Sequence, residues 1–182
     1  KKILLINVPT FNLEKFNKEH NKIKGYSLYP PVQLTSIAAS VLKKVDSTEI
    51  KILDLIYEIT KYFKDNSEPT MSPKNVMEKI VNDFVEKFQP DLCGISITFS
   101  PGHDNAITIA NLIKKKNKKI LVVCGGNHST FAYKRILEEC SNMDFVFLYE
   151  ADNTFPLFIK YMKDEIVFKD LKGIAWFNKK NN

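Results

Sequence analysis

The sequence predicts an α/β protein in which helices cover both faces of a parallel sheet. Short apolar runs alternate with segments of helical periodicity along the whole chain. The connections between them are short, apart from a polar and aromatic loop at residues 9–30. The first run, KILLINV at residues 2–8, is continuously apolar, as expected for a strand that is buried on both faces.

The first half of the chain carries further strand and helix signals. Residues 31–42 repeat apolar side chains at helical spacing, and residues 49–55 alternate polar and apolar side chains as an edge strand does. Ser72 and Pro73 suit the N-cap and the first position of a helix. That helix ends before Pro90, because the residue preceding a proline disfavours helical geometry.

The second half repeats the alternation three times. Apolar runs predict strands at residues 92–97, 119–124 and 144–148, and helical periodicity follows them at residues 106–116, 130–140 and 154–162. Residues 166–168 and 173–177 predict a short hairpin. Five strand–helix units favour a flavodoxin-like (Rossmann-type), doubly wound five-stranded parallel sheet of order 2-1-3-4-5, with this short C-terminal β-hairpin.

Composition fits a single soluble domain. The chain has 182 residues, of which 44% are hydrophobic and 26% charged, and both values are ordinary for a globular protein and argue against global disorder. No apolar stretch approaches the roughly 20 residues that a membrane span needs, and no signal peptide is recognisable. We therefore expect a cytoplasmic protein without a membrane partner.

The net charge of +6 does not indicate nucleic-acid binding. Arg135 is the only arginine, whereas base readout and phosphate clamps favour arginine. The densest lysine run, at residues 114–119, lies at a predicted helix C-terminus, where cations suit the helix dipole. A solvated basic surface explains the lysines, and no nucleic-acid partner is expected.

The cysteines predict neither a zinc site nor a redox motif. Cys93, Cys124 and Cys140 are widely spaced, and no Cys-x-x-Cys occurs. Cys93 and Cys124 lie within apolar runs, so we expect both to be buried and reduced.

The predicted sheet places ligand chemistry in a few loops. In doubly wound sheets, ligands bind outside the carboxyl ends of the strands, near the switch in strand order. The loops after the third, fourth and fifth strands carry the candidate residues. They are Thr98, Phe99, Ser100, Gly125, Gly126, His128, Ser129, Thr130, Tyr149, Glu150 and Asp152.

The stretch LVVCGGNHSTF at residues 121–131 has two explanations. Glycine permits positive φ and close approach of another group, so Gly125 and Gly126 indicate either a ligand against the backbone or a tight turn without a ligand. Ser129 and Thr130 are predicted to start a helix whose N–H groups suit an anion. Nucleotide-binding signatures are absent, because neither G-x-x-x-x-G-K-[ST] nor G-x-G-x-x-G occurs.

Several segments, taken in order, resemble the N-terminal cobalamin-binding domain of cobalamin-dependent radical SAM enzymes. They are KILLINVP, YPPVQLTSIAASVL, PDLCGISITF, VVCGGNHSTF, DFVFLYEADNTF and LKGIAWFNKKN. The resemblance implies a cobalamin-binding domain at residues 1–165 and a hairpin at 166–182 that leads to a radical SAM barrel outside this chain. It also implies that the eleven candidate residues contact cobalamin, while a [4Fe–4S] cluster and S-adenosylmethionine belong to the barrel of a methyltransferase-type enzyme.

The sequence departs from the family pattern in three places. Tyr149 and Ala151 replace the two glycines of Gly-Glu-Gly-Glu, and a tyrosine there either crowds a corrin tail or stacks on it. The Asp-x-His-x-x-Gly pattern that supplies an axial histidine is missing after the first strand. The three-cysteine cluster motif is absent as well, so these 182 residues alone are not expected to be catalytic.

Two alternatives stay open on the sequence. A degenerate domain of the same fold would bind no cobalamin and would serve as an interaction or substrate-gating module; Tyr149 and Ala151 favour it. An unrelated flavodoxin-like enzyme is disfavoured by the missing phosphate loop. His128 either donates to the nucleotide tail or caps the following helix, and His103 faces either the corrin or solvent.

Overall fold

The computed structural model describes residues 1–11, 13, 30–66 and 70–177. Most of the loop predicted at residues 9–30 and the last residues of the segment 166–182 lie outside these ranges. The strands are β1 (Lys2–Asn7), β2 (Glu49–Asp54), β3 (Leu92–Ser96), β4 (Leu121–Gly125), β5 (Phe145–Phe147) and β6 (Ile174–Ala175). The helices are α1 (Val32–Lys44), α2 (Leu55–Asp65), α3 (Pro73–Phe88), α4 (His103–Lys116), α5 (Asn127–Glu139) and α6 (Thr154–Met162).

The sheet confirms the predicted order and adds a strand. Its order is β2-β1-β3-β4-β5-β6, and β1 to β5 run parallel. The C-terminal strand is present, but the predicted hairpin partner is wrong. β6 pairs antiparallel with β5, while Phe168–Asp170 forms a 3₁₀ turn. Positive φ at Gly173 turns the chain, and the Leu148 N–H donates to the Gly173 carbonyl at 2.8 Å, so the free edge of β5 becomes covered.

The sheet separates two apolar cores. On one side, β-strand residues such as Leu5, Val123 and Phe147 pack against α1 and α6. On the other side, alternate residues such as Ile6, Ile95 and Val122 pack against the layer formed by α2, α3, α4 and α5. Because side chains alternate along a strand, each strand contributes to both cores.

Helix α2 is absent from the sequence-based prediction. Asp54 is both the last residue of β2 and the N-cap of α2, where its carboxylate accepts hydrogen bonds from the N–H groups of Ile56 and Tyr57. No loop separates the two elements, so the strand pattern runs directly into the helix. The buried stripe of α2 consists of Leu55, Ile59 and Phe63.

The cysteine prediction is confirmed. Cys93 and Cys124 are buried free thiols, and so is Cys140. Burial raises the pKa of Cys124 to about 12 and raises the pKa of Cys93 further, so both are thiols at neutral pH. Among the described residues, no helix is both long and apolar enough to cross a membrane.

Candidate ligand-binding site

A cleft of about 360 Å³ opens at the carboxyl edge of the sheet, on the side of α1 and α6. This volume lies within the range of small-molecule pockets, about 300–1,000 Å³. One wall is the start of α1, and the loop from β5 to α6 forms another. The floor is the sheet itself. The edge and the side agree with the switch in strand order between β1 and β3.

Strand register explains why the floor is open. Leu5, Gly94 and Val123 stand opposite one another on three adjacent strands, and all three line the cleft. Ser96 and Gly125 form the next row toward the carboxyl ends. In both rows a glycine occupies a place where any other residue would project a side chain toward the cleft.

The two floor glycines leave different amounts of room. A Cβ atom at Gly94 would lie 2.9 Å from the Leu5 Cδ2 atom, the far end of a flexible side chain. A Cβ atom at Gly125 would meet the Phe147 Cβ atom at 3.5 Å, an ordinary contact. Gly125 is therefore not required by its own backbone, and its missing side chain serves the cleft.

Gly126 has a different reason to be glycine. Its φ is +109°, and a Cβ atom there would lie 2.7 Å from the Ile97 carbonyl oxygen. The Ile97 carbonyl also accepts a hydrogen bond from the His128 N–H at 3.2 Å, so β3 and the start of α5 are held together at this point. The tight-turn explanation accounts for Gly126, whereas the ligand explanation remains for Gly125.

The polar rim of the cleft includes Thr98, Glu150 and Asp152. The Ser36 hydroxyl donates to the Asp152 carboxylate at 2.6 Å, and the Ser40 hydroxyl donates to the Asp152 carbonyl at 2.5 Å. Asp152 thus ties α1 to the loop that precedes α6. Among the described residues, the Glu150 side chain has no hydrogen-bond partner, so its carboxylate is available to a ligand.

Tyr149 lines the cleft without filling it. Its φ is +60°, and 77% of the residue is exposed. The Tyr149 N–H donates to the Thr130 hydroxyl at 2.9 Å, which fixes the backbone of this loop against α5. The left-handed backbone explains why a glycine suits this position in the related pattern.

Ser129 and Thr130 do not start α5. The helix begins at Asn127 after an N-cap at Gly126, so both hydroxyl residues lie within the first turn. The Ser129 hydroxyl donates to the Gly125 carbonyl at 3.0 Å, and Ser129 has no exposed surface. The Thr130 hydroxyl donates to the Gly126 carbonyl at 3.3 Å. Their predicted contacts with a cofactor stay a prediction, and here both hydroxyls serve the turn.

A chain of polar side chains lies beside the cleft, between α4 and α5. The Ser100 Oγ lies 3.0 Å from His128 Nδ1, and His128 Nε2 lies 2.9 Å from His103 Nδ1. His103 Nε2 lies 2.9 Å from a Glu139 carboxylate oxygen, whose second oxygen accepts from Arg135 Nε at 2.7 Å. We call Ser100, His128, His103 and Glu139 the relay.

The hydrogen bonds of the relay show where its two histidine side chains point. His103 is only 4% exposed, so the solvent-facing alternative is wrong. Both ring nitrogens of His103 and of His128 are bonded within the protein. His128 does not cap α5 with its side chain, because its ring nitrogens bond to Ser100 and His103 instead.

The electrostatics of the relay favour a charged glutamate and a neutral outer histidine. Hydrogen bonds from Arg135 and then from His103 hold the pKa of Glu139 below its ordinary value. Burial first, and then the charges of His103 and Arg135, lower the pKa of His128.

Large aromatic side chains are exposed in the segments that follow β3, β4 and β5. Phe99 follows β3 and is 61% exposed, while Phe131 lies in α5 and is 89% exposed. With Tyr149, these aromatic residues come from the segments after three adjacent strands. Exposed aromatic side chains that follow the carboxyl ends of adjacent strands suit a flat apolar partner.

The structure brings most of the predicted site residues to one edge but distributes them. Lining the cleft are Thr98, Gly125, Gly126, Tyr149, Glu150 and Asp152. Ser100 and His128 belong to the relay instead. Gly94 and Ser36 were missed, although a glycine inside a buried strand is a signal of close approach. His103 and Glu139 were not predicted as partners, because 36 residues separate them along the chain.

A larger cavity, of about 830 Å³, lies at the opposite edge of the sheet. Its lining includes the charged residues Lys1, Glu86, Asp91 and Lys116, and Lys116 forms an ion pair with Glu86 at 2.9 Å. The amino ends of parallel strands are not where α/β sheets bind ligands. We therefore assign the site to the smaller cleft.

Comparison with known proteins identifies the domain. The profile of the B12 binding domain family matches residues 23–159. The chain is 30% identical over 182 residues to PH0819, an uncharacterised methyltransferase of Pyrococcus horikoshii, and covers 33% of that protein. It is 31% identical over 151 residues to the cytidylyl-2-hydroxyethylphosphonate methyltransferase of Streptomyces wedmorensis; this match covers 80% of the chain and 27% of that enzyme.

A solved structure shares the fold. The cobalamin-dependent S-adenosylmethionine radical enzyme OxsB, solved with aqua-cobalamin and S-adenosylmethionine bound, matches with a TM-score of 0.68 and 17% identity. The match covers the whole chain and 21% of OxsB. The resemblance predicted from the sequence motifs is confirmed. The chain belongs to the B12-binding domain family.

Proposed function

We propose that this chain binds cobalamin, with the nucleotide tail in the cleft and the corrin ring over the carboxyl edge of the sheet. The observation that carries the proposal is the floor of the cleft, where Gly125 leaves the place of a side chain open and the Leu5 side chain lies against Gly94. A flat aromatic base fits such a floor because it needs close contact with the sheet.

The lining also fits the chemistry of the tail. Leu5, Val123 and Phe147 offer apolar contact to a benzimidazole. The Thr98 hydroxyl and the Glu150 carboxylate stand at the rim, where ribose hydroxyls need partners. Tyr149 and the Phe99 ring add exposed aromatic surface for the flat ring system above.

The features that favoured a degenerate domain do not close the cleft. Tyr149 keeps most of its side chain in solvent, and Ala151 is one residue of the lining of a cleft of about 360 Å³. The degenerate-domain alternative therefore has no blocked site to support it.

We assign the chain to a larger enzyme. It spans 33% and 27% of the two methyltransferases it matches, so residues beyond this segment supply most of such a protein. When bound, cobalamin supplies a cobalt centre that carries a methyl group or assists radical chemistry, and the domain orients it. In this proposal a radical SAM barrel of the same full-length chain holds the [4Fe–4S] cluster and S-adenosylmethionine.

The test compares two corrinoids that differ only in the tail. The protein is titrated with cyanocobalamin and with cobinamide, which keeps the corrin ring and its carboxamides but lacks the benzimidazole nucleotide. Burial of an aromatic base in the cleft predicts that cyanocobalamin binds at least about 100-fold more tightly than cobinamide.

The same titration separates the possible failures. Equal affinity for both corrinoids would contradict the placement of the tail in the cleft. No binding of either corrinoid would contradict cobalamin binding by this chain. A visible spectrum of the desalted complex, with about one corrinoid per chain, confirms the stoichiometry.

A further inference from the structure

The relay joins a surface hydroxyl to an ionised carboxylate that is itself exposed. It runs from the exposed residue Ser100 through His128 and the buried His103 to Glu139, with each link between 2.9 and 3.0 Å. Within the described ranges, no group of three or more His, Cys, Asp or Glu side chains is arranged to hold a metal ion. What this cluster can do chemically therefore depends on which of its atoms carry hydrogens.

Proton positions follow from the carboxylate end. The pKa of Glu139 is lowered, and an ionised carboxylate only accepts hydrogen bonds. His103 Nε2 must then carry the hydrogen of the bond to Glu139. A neutral imidazole has one donor nitrogen and one acceptor nitrogen, so His103 Nδ1 accepts.

The same reasoning assigns the hydrogens of His128 and of the exposed Ser100. Because His103 Nδ1 accepts, His128 Nε2 donates to it and His128 Nδ1 is left as an acceptor. The Ser100 hydroxyl therefore donates its single hydrogen inward, to His128 Nδ1. Its outward side presents only lone pairs, so Ser100 offers an acceptor and no donor to whatever lies on the rim.

We propose that the relay fixes the direction of the Ser100 hydroxyl, so that the rim selects ligands through N–H donors, and that one added proton reverses this direction. The ligand chemistry is a primary carboxamide, the group that surrounds a corrin ring. This inference rests on the proposed cobalamin function.

One added proton reverses the donor and the acceptor in the two hydrogen bonds that His128 forms. A proton added to the histidine pair leaves His103 doubly protonated beside Glu139, so His103 Nδ1 becomes a donor. His128 Nε2 then accepts, His128 Nδ1 donates to Ser100 Oγ, and the Ser100 hydrogen is free to point outward. The groups that act on His128 are Ser100 before α4, His103 in α4 and Arg135 in α5. Two further charged groups act on these neighbours, Glu139 on His103 and Arg135, and Asp104 on Arg135.

The first test needs no ligand. Nitrogen-15 NMR of histidine-labelled protein at about pH 8 distinguishes the two tautomers of a neutral ring. We expect the hydrogen on Nε2 in both His103 and His128. A hydrogen on Nδ1 of His128 at this pH would overturn the proposed direction.

A matched pair of variants tests the cause of the direction. Glu139→Ala removes the carboxylate, so His128 is expected to populate both tautomers. Glu138→Ala changes the neighbouring exposed residue of the same helix and should leave the Nε2 tautomer intact. If Glu139→Ala leaves the tautomer unchanged, the carboxylate does not set the direction.

The second test measures binding of cyanocobalamin and cobinamide at about pH 8 and about pH 5. Ser100→Ala should weaken both corrinoids about three- to tenfold at the higher pH, as expected for one hydrogen bond. The wild type should bind both less tightly at the lower pH, and Ser100→Ala should lose that pH dependence.

The outcomes distinguish this inference from the proposed function. Equal affinity for cyanocobalamin and cobinamide contradicts only the placement of the tail in the cleft, because cobinamide has no tail to bury. Unchanged affinity of Ser100→Ala for both corrinoids refutes the contact at Ser100 while cobalamin binding stands. Binding of neither corrinoid by the wild type refutes the ligand part, and the tautomer measurement still decides the direction.

Discussion

At the carboxyl edge, the two sides of the sheet differ in how the space is filled. On the side of α1 and α6, side chains are missing at Gly94 and Gly125, and a cleft remains. On the side of α4 and α5, Ser100, His128 and His103 fill the space and bond to one another. One side offers volume and the other offers a fixed pattern of hydrogen bonds.

The difference is sharpest between two adjacent glycines. Gly125 ends β4 and faces the cleft, whereas Gly126 lies against the Ile97 backbone and begins the turn into α5. Neighbouring residues of one motif thus serve different purposes. The Gly-Gly pair thus contributes one residue to the cleft and one to the turn into α5.

The largest effect is expected from Gly126→Ala. The new Cβ would lie 2.7 Å from the Ile97 carbonyl oxygen at a φ of +109°, so we expect a loss of about 3 kcal/mol in the free energy of unfolding. Gly125→Ala is the control and should change it by less than about 1 kcal/mol. Urea unfolding measures both, and equal losses would contradict the division between the two glycines.

The second effect is on binding. Gly125→Leu places a side chain in the cleft, and we expect cyanocobalamin affinity to fall about 100-fold, to the level of cobinamide. Affinity for cobinamide should stay near that of the wild type, because cobinamide does not use the cleft. Calorimetric titration checks both, and an equal loss for the two corrinoids would place the tail elsewhere.

A smaller effect is expected from the tie between α1 and the loop before α6. Ser36→Ala removes the 2.6 Å hydrogen bond to Asp152, which should cost about 1 kcal/mol in the free energy of unfolding. Ser141→Ala, an exposed loop serine on the other side of the sheet, should be nearly neutral. Equal effects would mean that the tie does not hold the wall of the cleft.

The relay predicts the smallest effect, a dependence of stability on pH. Folding lowers the pKa of His128, so the unfolded chain binds more protons as the pH falls below 6.5, and stability declines. The lowered pKa of Glu139 adds a further decline below 4.5. Both groups retain contact with water, so the slopes should be shallow.

Unfolding of wild type and His128→Gln across this pH range checks the prediction. The variant should lack the decline that begins below about pH 6.5 but keep the one at lower pH. A stability that rises as the pH falls would contradict the lowered pKa of His128.

The order of the parallel strands was predictable because it depends on local patterns and general connection rules. Apolar runs such as residues 92–97 and 119–124 mark buried strands directly. Helix α2 was not predictable in the same way, since Asp54 ends β2 and caps α2 without a loop. The partner of β6 depends on which strand edge is free, and this is a tertiary property.

The candidate site was predictable by place and not by contact. The rule for carboxyl ends located Gly125, Tyr149 and Glu150, which all line the cleft. It did not separate Gly125 from Gly126, because their roles depend on the Ile97 backbone next to them. The relay could not be predicted from the sequence, because only the packing of α4 on α5 joins His103 to His128 and Glu139.

The placement of the nucleotide tail can be observed directly. Intermolecular nuclear Overhauser effects are measured between the benzimidazole protons of bound cyanocobalamin and the methyl groups of the protein. We expect contacts to Leu5 and Val123 on the cleft side, and none to Ile95 or Val122 on the opposite side. Bound cyanocobalamin with no benzimidazole contact to Leu5 or Val123 would contradict the account.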